Sequence, residues 1–364
     1  MISRRAVLAL PAFLLASCAK KATFRGYAFV AIASEEGGSV AAVDLEVLAV
    51  SKHIPIEGAP SHVVAAQSKP AVYALTPATG TVHEIDTGAL KLARKTTVGA
   101  HADSIHLSTD EKTLYVVSKE TQTLTALATE SLKPAWTMKL PEAPVDFAIS
   151  SDDETAAITS AQSVRLINLK ARAIGEPLGQ GNFGQIKFLS NGERLIAADL
   201  DRNQISIYRV ASPRLIAHLP IAIRPENLCF NADGGQLFVT GAGRDAVVIV
   251  YPYDIPEVAE TILAGHNPGL MTASTSFLFL TNSASGDVSV LNIPTHRMVA
   301  VLPVGTDPGQ VVITPDEVFA LVLNRESGTI TVLNLAAIQP GRVSAASADR
   351  KSTRLNSSHI TISY

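Results

Sequence analysis

Thr281–Asn292 reads TNSASGDVSVLN and Leu323–Asn334 reads LNRESGTITVLN. A Pro-Gly pair precedes each stretch, in Asn267-Pro268-Gly269 and in Asp307-Pro308-Gly309. Two copies of one pattern, one interval apart, call for a search for further copies. Sliding the template backwards gives seven anchors, at Pro60, Ala102, Pro144, Phe183, Pro225, Pro268 and Pro308, spaced 42, 42, 39, 42, 43 and 40 residues apart. So regular a period marks a repeat architecture rather than a string of ordinary domains.

Within each repeat the apolar residues alternate in short runs, which is the period of strands. An inner strand follows the anchor, as in Val145–Ser150 (VDFAIS) and Gln310–Thr314 (QVVIT). A polar turn comes next, written STDEKT, SSDDET, SNGER, NADGGQ or TPDEV. Asp, Asn and Gly suit such turns because they bond locally to the backbone or tolerate positive φ. A second strand (AVYALT, TLYVVS, QLFVTG), a third (TVHEID, QISIYRV, DVSVLN) and a returning fourth such as Arg297–Gly305 complete the unit. Four short antiparallel strands in about 42 residues describe a propeller blade, which cannot bury both faces alone and must stack on its neighbours. The fold expected is therefore all-β, a β-propeller of four-stranded antiparallel blades.

Second and third strands occur eight times, beginning near residues 27, 71, 113, 155, 194, 236, 277 and 318. Inner and outer strands occur seven times each, so eight blades are expected, with seven as the alternative and with the first and last blades incomplete. Where the missing inner and outer strands should lie, Asp349–His359 reads DRKSTRLNSSH. It resembles translated sequencing-adaptor read-through and fits neither the repeat nor a natural linker. Residues 337–364 are accordingly expected to be a disordered tail, with 351–364 foreign to the natural chain and the ring open at its seam.

The anchor proline, the inner strand, the S/T-P/S-D turn, a strand of the Leu114-Tyr115-Val116-Val117-Ser118 kind and a closing V-x-V-[IL]-[DN] resemble the YVTN or YncE-like β-propeller repeat family over roughly residues 24–334. Ser118 stands where the family's name-giving tetrapeptide ends in Asn, and Ala102 and Phe183 replace the anchor proline in two repeats. The resemblance implies a propeller. It does not name a ligand, since propellers host many functions.

Upstream of the repeats, Met1–Lys21 reads MISRRAVLALPAFLLASCAKK. Arg4 and Arg5 precede an apolar stretch, Ala6–Ala16. As a helix it would span only about 16 Å, half a hydrocarbon core, so it reads as a signal peptide rather than a membrane span. Leu15-Ala16-Ser17-Cys18 resembles the lipobox of bacterial lipoproteins. That resemblance implies cleavage before Cys18 and lipid on its thiol. Residues 1–17 are then the leader, 18–24 a lipidated tether and 25–336 the propeller. Ser3-Arg4-Arg5-Ala6-Val7-Leu8 also resembles a twin-arginine export motif, leaving two export routes open. The expected location is the cell envelope, on the periplasmic side or at the outer membrane.

Propeller ligands commonly sit at the mouth of the central channel, which the anchors should surround. Residues one before, one after and two after the anchors give His62, His101, Ser104, Asp146, Gln185, Arg224, Glu226, Asn227, Asn267, Asp307 and Gln310, with His266 two before its own. These form a candidate binding rim, or simply cap backbone groups where inner strands begin. His62, His101 and His266 sit at different offsets, so no metal site is assigned. His83, His106 and His218 read as half-exposed sheet residues, Asp199–Asn203 as a hairpin turn rather than a calcium loop, and Cys229 as a small buried hydrophobe.

Bulk composition narrows the function classes. The charge is −3 with both signs scattered, which argues against a nucleic-acid surface. Only two cysteines occur, Cys18 and Cys229, so there is no disulfide framework and no CxxCH for covalent haem. No nucleophile elbow, phosphate loop or dinucleotide fingerprint is present. No catalytic residue and no cofactor is assigned. The expectation is a membrane-tethered binding or scaffold propeller for an unknown protein or small molecule. The alternatives are a propeller enzyme of the lactonase or hydrolase kind, or an electron-transfer partner.

Overall fold

The computed structural model describes residues 25–34, 37–338, 351–354 and 362–363. It is an eight-bladed β-propeller of four-stranded antiparallel blades. In the second blade the strands are His62–Ala65, Ala71–Thr76, Thr81–Asp86 and Lys91–Thr97, from the channel outwards. The same order recurs from Ser104–Leu107 in the third blade to Pro308–Ile313 in the eighth. Second strands begin at Tyr27, Ala71, Thr113, Thr155, Arg194, Leu237, Phe277 and Phe319, within a residue of the positions expected from the repeat. Among the described residues the one helical turn is the 3₁₀ segment Leu335–Ala337.

Burial follows the strand pattern. Middle strands are covered on both faces, as in Ala71–Thr76 and Phe319–Asn324, every residue of which is buried. Outer strands such as Lys91–Thr97 are mostly exposed. Apolar side chains from adjoining blades merge into eight core clusters, one per blade-to-blade interface. One cluster joins the last blade to the first, with Ala28, Val30, Ile32 and Val43 packed on Phe319, Leu321, Leu323 and Val332.

Two calls about the seam are corrected. Lys351–Arg354 pairs with the third strand of the eighth blade and supplies its outer strand. Ile362–Ser363 pairs with Tyr27–Ser34 and supplies the inner strand of the first blade. The first and last blades are therefore not incomplete, and the ring is not open. The reason is physical: a strand position on an exposed ladder edge is satisfied by main-chain hydrogen bonds, which any sequence can supply. The leader, the lipobox and Cys18 lie outside the described residues.

Each inner strand of the fourth to eighth blades starts with a register shift just after its anchor, as between Pro144 and Asp146 or Pro225 and Asn227. A bulge re-aims the side chains that follow it. On the face carrying the strand-to-strand loops, the backbone runs close. A Cβ on Gly80, which has φ +60°, would stand 1.5 Å from the Gly99 carbonyl oxygen, so only glycine fits that turn.

Candidate functional site

Inner strands alternate their side chains, so the residues two and four places past each anchor share a face. The first of these layers contains the expected rim residues His62, Ser104, Asp146, Gln185, Asn227 and Gln310, with Leu270 at the seventh blade. The second contains His106, Lys187, Cys229 and Thr272. This second layer was not singled out from the sequence, although the same two-residue step finds it.

Where the third, fourth and fifth blades meet the channel, a cavity of about 430 Å³ is lined by His106, Asp146, Phe147, Gln185, Lys187 and Phe188 among others. Its geometry is set by bonds between inner strands. The Asp146 carboxylate accepts the Ile186 N–H at 2.9 Å from the next blade, and the Gln185 side-chain Oε1 accepts the Leu228 N–H at 2.7 Å from the blade after. Thr159 donates to the Gly184 carbonyl at 2.7 Å, tying the fourth blade to the fifth. Asp146 and Gln185 thus both line the cavity and clamp the blades. The backbone-capping and binding readings describe the same residues.

The electrostatics of this cavity are unusual for an exposed protein surface. Burial, with His62 and Lys187 adding to it, pushes His106 down to about 4, so its ring is neutral at physiological pH. Its Nε2 lies 2.9 Å from the Ser104 hydroxyl, and its ring meets Phe147 edge-on with centroids 5.0 Å apart. Burial raises the Asp146 carboxyl above its ordinary range, opposed by the Ile186 and Phe147 N–H groups and by Lys187. Cys229, at the same level of the wall, is held up to about 11 by burial, with Lys187 opposing. It donates to the Phe230 carbonyl oxygen at 3.4 Å and is half-buried, close to the expected small hydrophobe.

The other expected rim residues do not converge on this cavity. His101 faces Glu120 at 3.0 Å in a separate cleft of about 450 Å³ beside Asp103 and Lys119. His266 faces Asp245 at 2.6 Å, and Asn267 lines a small cleft with Asp245 between the sixth and seventh blades. Arg224 pairs with Glu226 at 2.8 Å. Asp307 takes a two-pronged contact from Arg325 at 2.7 and 2.8 Å. His62 bonds through Nδ1 to the Ser61 hydroxyl at 2.7 Å. Among the described residues no three His, Cys, Asp or Glu side chains gather in a way that could hold a metal ion. His83 is corrected: it is fully buried, with Nε2 3.1 Å from the Thr76 hydroxyl, because the third strand is covered on both faces. His218 is exposed on its outer strand, and Asp199–Asn203 is the expected turn between strands.

No protein-family model matches the chain, and no curated protein matches it in sequence. Solved structures do resemble it in fold. The dihydro-heme d1 dehydrogenase NirN in complex with DHE aligns with a TM-score of 0.72 at 12% identity, over 90% of this chain and 73% of that one. Apo AztD from Citrobacter koseri aligns at 0.68 and 11% identity, over 93% and 98%. The Kuenenia stuttgartiensis hydrazine synthase aligns at 0.57 and 16% identity, over 70% and 89%. At such identities the likeness is one of architecture, and these propellers serve varied roles.

Proposed function

We propose that this chain is a YVTN-like propeller lipoprotein of the bacterial cell envelope, held to a membrane by lipid on Cys18, that binds a small molecule in its channel. The cavity of about 430 Å³ beside His106, Asp146, Gln185 and Lys187 carries the reading. Its size falls within the range of small-molecule sites, and a few polar groups set among aromatic and aliphatic side chains are what such sites use to orient a ligand. The lipobox-like Leu15-Ala16-Ser17-Cys18 supports the anchoring. A scaffold role without a ligand would leave this concentration of polar side chains in one cavity unexplained beyond its clamping bonds.

The test is a thermal-shift screen of small polar metabolites against the purified full chain and an Ala148→Trp variant. Ala148 lines the cavity, and an indole there fills it. Hits that raise the melting midpoint of the parent and not of the variant support the reading. Hits indifferent to the substitution, or none at all, overturn it.

A further inference from the structure

We infer that the channel cavity selects a small zwitterion, a molecule bearing one ammonium and one carboxylate a few bonds apart and an apolar remainder. This rests on the reading above that the cavity is where a small molecule binds.

Four facts meet at the site. First, Lys187 is exposed towards the cavity, and among the described residues its ammonium has no carboxylate within 4.0 Å. Lys95 and Arg165, by contrast, are each closed onto a carboxylate, Lys95 onto Glu57 at 2.6 Å and Arg165 onto Glu142 at 3.4 Å. Second, Asp146 lines the same cavity. One of its oxygens is fixed by the Ile186 N–H at 2.9 Å, and no cation lies within pairing distance among the described residues. Third, His106, which lines the same cavity from the third blade, is neutral. Fourth, Phe147, Ile149, Phe188 and Leu189 supply apolar wall.

Cation and anion therefore share a cavity without closing on each other, because each is carried by a different inner strand. A bare anion drawn to Lys187 meets Asp146, and a bare cation drawn to Asp146 meets Lys187. Each would desolvate one protein charge without compensation, which is expensive. A ligand with both charges satisfies both groups. Discrimination then comes from the charge left unpaired by the wrong ligand as much as from the one that is paired.

The test is calorimetric titration of the full chain with three probes of one shape: leucine, 4-methylpentanoate, which lacks the amine, and 3-methylbutylamine, which lacks the carboxylate. Leucine is expected to saturate one site at least tenfold more tightly than either analogue. Lys187→Met should weaken leucine at least tenfold and leave the amine no weaker. Asp146→Asn, whose amide oxygen still accepts the Ile186 N–H, should weaken leucine at least tenfold and leave the carboxylate no weaker. If the carboxylate or the amine binds as tightly as leucine, the inference is overturned in favour of a simple ion site. If no probe binds while hits sensitive to Ala148→Trp exist, the inference fails and the cavity reading stands. If no such hit exists, both fail.

Discussion

Asn282 and Asn324 each end a second strand and are fully buried. Asn324 donates through Nδ2 to Thr329 and Thr331 at 3.1 and 3.0 Å, and Asn282 to Asp287 and Ser289 at 2.6 and 2.8 Å. They hold the turn into the third strand shut, and Thr76 with His83 does so in the second blade. Asn324→Ala should cost about 2 kcal/mol in chemical denaturation, since two buried bonds vanish and their partners lose a donor. His106 bears a different kind of load. The unfolded ring takes a proton near the ordinary 6.5, the folded one only near 4, so stability present above 6.5 drains as pH falls towards 4. At pH 5 the loss from this ring is about 2 kcal/mol, and His106→Gln should lose that much less between pH 7 and pH 5. Asp146, raised by burial, acts in the opposite sense in both proteins. Counting two places past each anchor located Asp146 and Gln185 from sequence alone. Counting four would have located His106 and Lys187. The charge arrangement was not legible, because nothing local says that residues of three different repeats face one cavity.

The turn after the inner strand shows how an element can hide its purpose. Glu111, Asp153 and Glu317 occupy this turn in three blades, each with positive φ near 55°. Sequence explained acidic residues there as local turn formers. Their carboxylates instead reach back to the preceding blade: Glu111 to the Ser68 N–H at 3.0 Å, Asp153 to the Thr109 and Asp110 N–H groups at 2.8 Å, Glu317 to the Thr275 N–H at 2.8 Å. Gly192 and Gly234 hold the same place in the fifth and sixth blades and carry no such clamp. Asp153→Ala should therefore destabilise by about 1–3 kcal/mol, the range for bonds to a charged group, measured by urea denaturation. The partner lies more than forty residues away, so a turn motif cannot announce it. Legibility failed in the same way at the seam. Lys351–Arg354 and Ile362–Ser363 lack the repeat's side-chain pattern, and their positions are fixed by main-chain pairing.

At the scale of the whole molecule, the repeat period gave the blade count because one sequence unit makes one sheet. Closure could not be read in that way, yet the seam is packed as the other interfaces are. Leu321, fully buried at the seam, and Leu278, fully buried between the sixth and seventh blades, should each cost about 3–5 kcal/mol when changed to alanine. A far smaller loss for Leu321→Ala in thermal or urea unfolding would show the seam to be slack. In the cell, Cys18→Ala should abolish labelling by an alkyne fatty acid and release the chain from the membrane fraction, if the anchor is as proposed.

The seam has a consequence for how the protein is made. Val30 and Ile32 pack on Leu321 and Leu323, so the first blade's flank finds its mate only once the eighth blade has been made. Bringing such distant segments together costs about 5 kcal/mol in loop entropy, returned only when the last contact locks. Throughout synthesis the earliest-emerging blade therefore offers a sticky, unmated side to its surroundings. That side is covered only when the eighth blade folds against it.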